Sequence, residues 1–249
     1  MPDAYDAGCS DFYINQKIAL KMDLPSSRET VMDLFDRVRR ELPAMDQFRR
    51  FDDELALESS DTERNYSWLA MRRTSVRSGW VNPSRINDAY HLHGLVLETA
   101  PYFLSISPLD VEYIELVYGF DMEAQMNRDE VVFDALLANS PLAGLIDHDR
   151  ESVVESQPLI GMGIDEMSDL KAYVEIKSRS RAQEGSASGW TNEPISVYLT
   201  VRKAGPLQHV DDFKTIFGML CGTGERLVDE RVIPSVLMPL RQAILSRPC

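Results

Sequence analysis

Tryptophan beside strand-borne cations is a combination that can grip an anion and stack on it, and the chain presents it twice. Ser78-Gly79-Trp80-Val81-Asn82 and Ser188-Gly189-Trp190-Thr191-Asn192 agree at Ser, Gly, Trp and Asn, 110 residues apart. Arg72, Arg73 and Arg77 precede the first, and Lys177, Arg179 and Arg181 the second. At strand spacing Arg73 and Arg77 project from one face, as do Lys177, Arg179 and Arg181. A guanidinium forks onto a carboxylate or phosphate, and an indole adds a stacking face and one N–H donor. The candidate binding residues are therefore Arg73, Arg77, Trp80, Asn82, Lys177, Arg179, Arg181, Trp190 and Asn192. They would serve an acidic segment of a protein partner or a small anionic ligand. A plainer reading competes: these cations pair across strands with Asp52, Glu54, Glu58 or Glu175 for small energies.

Other chemistry-bearing residues are weaker candidates. In Tyr90-His91-Leu92-His93 the two histidines would share a metal on a strand, but the local pattern is helical, where residues two apart diverge. No further His or Cys cluster completes a set of three or four ligands, so no metal and no cofactor is expected. Asp147-His148-Asp149 reads as a polar loop, and Asp165, Glu166 and Asp169 as a hairpin turn without the calcium-loop glycine. Gly161-Met162-Gly163 and Gly222-Thr223-Gly224 are fragments of phosphate-binding patterns without the rest. Cys221 near His209 lies in an apolar helix and reads as an inert thiol. No catalytic triad or nucleophile elbow stands out.

The whole-chain numbers narrow the class. The chain has 249 residues, 44% of them hydrophobic and 27% charged, with 26 Lys and Arg against 40 Asp and Glu. A formal charge of -14 repels phosphate backbones and anionic headgroups, so nucleic acid and membrane surfaces are excluded as expected partners. The three cysteines form no CxxC pair, and Met1-Pro2-Asp3 opens neither a basic nor an apolar leader. Both point to the cytoplasm.

These residues must be positioned by elements legible from periodicity. After an acidic tail (1–10), Phe12, Ile14, Ile18, Leu20 and Met22 alternate with Tyr13, Asn15, Lys17 and Lys21, interrupted at Gln16, which predicts a strand with one wet face. Ser26 and Glu29 form a capping box before a helix that uses Val31, Leu34, Phe35, Val38 and Leu42. Strands are expected over 51–58 and 66–77, a helix over 85–102 with His93 on its inner stripe, and a strand over 111–121. The second half reads as a helix at 128–138, strands at 153–164, 170–181 and from 195 onward, a helix at 210–221, a break at Gly222 and Gly224, and a Pro-interrupted helix at 225–245.

The fold class expected is α+β, with a predominantly antiparallel sheet and helices on one face. The half 11–125 has the β-α-β-β-α-β order of ferredoxin-like folds, and 126–249 reads α-β-β-β-α-α, with one sheet able to run through both. The paired tryptophan segments point to an internal duplication. That order transfers no function. The leading expectation is a non-catalytic cytoplasmic binding or assembly protein, associating with a protein partner or with itself through its sheet face and the two tryptophan loops. The alternative is an enzyme acting on a small anionic substrate in a pocket between the halves, with Tyr90, His91 or His93 as acid or base.

Overall fold

A computed structural model describes residues 8–25, 28–60, 64–147, 149–166, 169–178 and 194–246. The first strand, β1 (Asp11–Leu20), alternates as its sequence predicts. Phe12, Ile14, Ile18 and Leu20 are buried, and Tyr13, Asn15 and Lys17 are half-buried on the opposite face. Met22 lies beyond the strand and is exposed. Helix α1 (Arg28–Glu41) follows and buries Val31, Leu34, Phe35 and Val38; Ser26 of the expected capping box is outside the described residues.

Four strands come next where two are expected: β2 (Met45–Arg50), β3 (Glu54–Ser59), β4 (Tyr66–Arg72) and β5 (Ser75–Val81). β2 leaves no period-two trace, because only Met45 of its residues is buried. The expected 66–77 strand folds back at Arg73-Thr74, residues that carry no turn signal. Tertiary bonds hold that turn: the N–H groups of Leu20 and Leu24 donate to the carbonyls of Thr74 and Arg73 at 2.9 and 2.8 Å.

Helix α2 (Ile86–Phe103) leads to β6 (Val111–Met122), and α3 (Arg128–Leu136) leads to β7 (Leu159–Gly163), β8 (Leu170–Ser178) and β9 (Ile195–Ala204). The strands form one antiparallel sheet in the order β2-β3-β4-β5-β1-β6-β9-β8-β7. With the β2–β3 hairpin counted as an insertion, the first half runs β-α-β-β-α-β, and its strands lie as β4-β5-β1-β6. The sheet passes without a break into the second half, β6 pairing β9 from Tyr113–Ala204 to Met122–Ile195.

The described residues close with one helical run: α4 (Asp212–Leu227), a π-helical stretch over Val228–Leu237 and α5 (Met238–Ser246). Gly222 and Gly224 sit inside α4, so the expected break there is absent. Pro234 is accommodated by the wider π-helical turn rather than by a stop. Leu227, Val228, Val232, Leu237 and Leu240 are buried in the chain's own core, so this stripe is occupied at home.

The helices cover the face built from the even residues of β1. Phe12 stacks on Phe120 with ring centroids 5.2 Å apart at the centre of that layer. No helix among the described residues is long and apolar enough to cross a membrane.

Candidate functional site

Among the described residues, the other face of the sheet carries no helix. Register places its side chains in rows that cross the strands. One row runs Trp68, Gly79, Asn15, Val117, Thr200, Tyr173 and Gly161; the next runs Arg77, Lys17, Glu115, Arg202 and Lys171. On the far side of the first lie Tyr66, Val81, Tyr13, Gly119 and Tyr198.

Glycine stands opposite an aromatic residue at each of three places, and the close approach requires it. A Cβ on Gly79 would fall 2.4 Å from the Trp68 indole, and one on Gly119 would fall 2.1 Å from the Tyr13 ring. Tyr173 comes within 3.2 Å of the same point on Gly161. The rings therefore lie down on the neighbouring strand instead of standing up from their own. Cations close over two of them, Arg77 at 5.9 Å from the Trp68 ring centre and Arg202 at 5.6 Å from that of Tyr173. On the same face Arg202 is also 4.1 Å, and Lys17 Nζ 5.1 Å, from the Tyr113 ring centre.

At the seam between β1 and β6 this face sinks into a depression of about 720 Å3. Tyr13, Asn15, Tyr66, Trp68 and Asp121 line it from the first half, and Ser196 and Tyr198 from the second. Tyr13 Oη donates to Asp121 Oδ1 at 3.3 Å, and its ring meets Tyr198 edge-on at 6.2 Å. Burial, then the Asp121 charge, pushes the Tyr13 phenol well above its ordinary value. It serves as a neutral hydrogen-bonding group.

Of the residues singled out in the sequence, Arg77 and Lys177 are on this face. Arg77 pairs with Glu54, which also holds Arg72 at 2.7 Å, and Lys177 pairs with Glu175 at 3.2 Å while its Nζ lies over the Tyr198 ring, 5.6 Å from its centre. Arg73 is exposed in the β4–β5 turn and pairs with Asp23 at 2.8 Å. The described cations of the candidate set are thus each matched to the chain's own acids, Glu54 and Glu175 among those expected. Trp80 lies within β5, not after it, and points to the helix-covered face, where its indole N–H donates to Asn65 Oδ1 at 2.8 Å. It does not share a surface with Arg77. Arg179, Arg181, Trp190 and Asn192 lie outside the described residues.

Asn82 is a clamp. It has a left-handed backbone (φ 47°), its Oδ1 accepts from Phe12 N–H at 2.9 Å, and its Nδ2 donates to Asp11 Oδ1 at 2.7 Å. Asn82→Ala should destabilise the fold by about 2 kcal/mol, through lost bonds and a strained backbone. Asn82→Gly, which relieves the backbone alone, should cost about 1 kcal/mol. Urea midpoints of the two variants check this, and equal losses would remove the backbone part of the argument.

The remaining acid–base candidates sit on the helix side. His93 is fully buried, with Nδ1 2.8 Å from Ser78 Oγ, which is 3.1 Å from the Gln16 amide. The Gln16 that interrupts the apolar row of β1 is one member of this buried polar group. Desolvation pushes His93 down to about 3, against a smaller opposing pull from the Ile14 backbone. Tyr90 Oη meets Tyr118 Oη at 2.7 Å, and burial raises its pKa well above the ordinary tyrosine value. The Cys221 thiol is pushed up to about 12, mainly by burial and then by Glu225. Neither His93 nor Tyr90 faces the arginines. Among the described residues no three His, Cys, Asp or Glu side chains are grouped to hold a metal ion.

The sequence missed the aromatic floor because Tyr13, Trp68, Tyr113, Tyr173 and Tyr198 are scattered along the chain. The one available signal was glycine inside a strand pattern, at Gly79, Gly119 and Gly161, which marks a close approach.

No family model matches the chain, and no curated protein matches it. Among solved structures it is similar to the di-domain ARO/CYC BexL from the BE-7585A biosynthetic pathway. The identity is 9%, over 95% of this chain and 99% of that one, with a TM-score of 0.22. A likeness at that score carries no argument about fold or function.

Proposed function

We propose that the chain is a non-catalytic binding or assembly protein of the cytoplasm, and that it holds a protein partner against the uncovered face of its sheet. The observation that carries this reading is the set of aromatic rings laid on cross-strand glycines, with Arg77 over Trp68 and Arg202 over Tyr173. Large rings already fixed in place lose little freedom on binding, and Tyr, Trp and Arg are the residues that anchor protein interfaces. Matching of Arg73, Arg77 and Lys177 to internal acids supports a partner contacted by rings more than by the charges of these three side chains. Among the described residues neither Cys9 nor Cys221 is joined in a disulfide, which fits a reducing compartment.

A duplication behind this surface is supported by plan rather than by the tryptophan repeat. β1-α1 and β6-α3 each lead through a meander back to a strand beside the first, β5 or β9, and then to α2 or α4. Trp80 falls within β5, and the second Ser-Gly-Trp segment lies outside the described residues, so the repeat itself adds nothing to that plan.

Binding is tested by capturing proteins from a cell extract on the immobilised chain, identifying those retained, and titrating the purified partner. Trp68→Ala with Tyr198→Ala, both half-exposed positions, should weaken the partner about a hundredfold or more while the melting temperature stays near wild type. Equal affinity in the folded double variant would reject the open face as the contact surface.

The seam depression favours one second reading, an enzyme for a small anionic substrate, because both halves and Arg64 line it. Calorimetric titration with inorganic phosphate and with a dicarboxylate separates the two. Binding that Arg64→Ala abolishes would support the enzyme reading, and absence of binding would reject it.

A further inference from the structure

The two outer strands of the sheet are guarded very differently. β2 carries Asp46, Arg49 and Arg50, and its register with β3 shifts between Met45 and Gln47. Charges and bulges are how native proteins blunt an edge. β7 reads Leu-Ile-Gly-Met-Gly, within a run from Ser156 to Ile164 that holds no charged residue. It pairs with β8 in unbroken register, and Leu159 and Ile160 are each 60% exposed. Ile164 N–H donates to Leu170 O at 2.9 Å, and Ile176 N–H donates to Pro158 O at 3.0 Å. The even positions therefore spend their backbone groups on β8. Alternation turns the N–H and C=O groups of Leu159, Gly161 and Gly163 outward. Among the described residues no strand pairs with that edge.

We propose that this edge of β7 joins the same edge of a second copy of the chain, antiparallel about a two-fold axis at Gly161, so that one sheet runs through both molecules. Two features single out a second copy as the occupant. The first is self-complementary register. Gly161 meets Gly161 of the second copy, Leu159 lies opposite its Gly163, and Ile160 lies opposite its Met162. Each outward N–H then faces an outward carbonyl, and the one bulky side chain on the open face rests over a glycine. The second is charge. A two-fold axis sets every nearby charge against its own copy, and in a chain of net charge -14 only an uncharged segment escapes that repulsion. The run from Ser156 to Ile164 is such a segment. This interface goes beyond the open-face reading: Gly161 belongs to both, but the edge engages its backbone groups and the open face its contact with Tyr173.

Light scattering on the full chain across a concentration series should give a mass rising toward twice that of the monomer. Added salt should strengthen the association by screening two like-charged molecules. Gly161→Pro deletes an outward N–H while leaving the bonds to β8, and Ile160→Lys sets a charge at an exposed edge position. Each should weaken the dimer at least tenfold, with the Ile160→Lys melt unchanged. A wild-type chain that stays monomeric throughout, or a dimer indifferent to both variants, would overturn the proposal. The open-face variants Trp68→Ala and Tyr198→Ala should still dimerise, and Ile160→Lys should still capture its partner, so either idea can fail alone.

Discussion

Alanine at Gly222 should stabilise the protein by about 0.5–1 kcal/mol, and alanine two residues later, at Gly224, should destabilise it by about 2 kcal/mol. Both glycines lie inside α4, where alanine is the better helix former, so propensity alone would give the two changes the same sign. Packing separates them. A Cβ on Gly222 meets nothing within 4 Å, whereas one on Gly224 falls 2.2 Å from the Tyr118 ring. Tyr118 is fully buried in β6, and its hydroxyl is tied to Tyr90 Oη at 2.7 Å and to the Cys221 carbonyl at 3.3 Å. The ring has nowhere to go, and an overpacked core costs about 1–3 kcal/mol or more. Gly119 is an instructive contrast. Its Cβ would fall equally close to Tyr13, but that ring lies on the open face and can lift toward solvent. Denaturant midpoints for Gly222→Ala and Gly224→Ala decide the matter, and a shift of the same sign in both would mean that Tyr118 yields.

That comparison also explains what the sequence could and could not say. Gly222-Thr223-Gly224 looks like punctuation, yet Gly224 is there to let β6 approach α4, a tertiary reason invisible along the chain. The fold class was legible because β1, β6, β8 and β9 are long strands with one wet face, and their period-two rows survive burial on a single side. β2 left no such row, since an outer strand with most of its side chains in water has no face to conceal. The Arg73-Thr74 turn was hidden for a related reason, because bonds from Leu20 and Leu24 replace the usual turn chemistry. At the candidate site the sequence picked out Arg77 and Lys177, which lie on the open face; Arg77 pairs with Glu54 of another strand as expected, whereas the Glu175 that pairs with Lys177 is on its own strand, not across from it. The rings beside them were not foreseeable. Their meeting depends on strand order, which puts β1 between β5 and β6 and brings Tyr13 beside Tyr198 from the far end of the chain.

The largest pH effect should come from the buried polar group that Gln16, Ser78 and His93 make under α2. An unfolded chain takes up a proton at an ordinary histidine value near 6.5, whereas the folded chain resists until about 3, because burial disfavours the imidazolium. The sign follows from linkage: the unfolded state binds more protons across that window, so stability falls as pH drops through it. Above the unfolded value the group contributes no pH dependence. Between about pH 6.5 and 4.5 this one side chain should remove about 2 kcal/mol of stability. The groups packed around it leave no easy route to rescue the charge. Ser78 and Gln16 are neutral, the Phe217 ring stands edge-on 6.5 Å away, and among the described residues no carboxylate bonds to the imidazole. His93→Gln retains a polar side chain that does not titrate. Its absolute stability should be lower at pH 7 for want of good packing, but its loss on going to pH 4.5 should be smaller than wild type by about 2 kcal/mol. Urea unfolding of both proteins at the two pH values measures that difference directly, and exposed carboxylates common to both cancel from it. Parallel pH profiles would show that His93 gains its proton without unfolding. The apolar layer between α2 and β1 would then have to admit water, and its neighbour Phe217 would have to move.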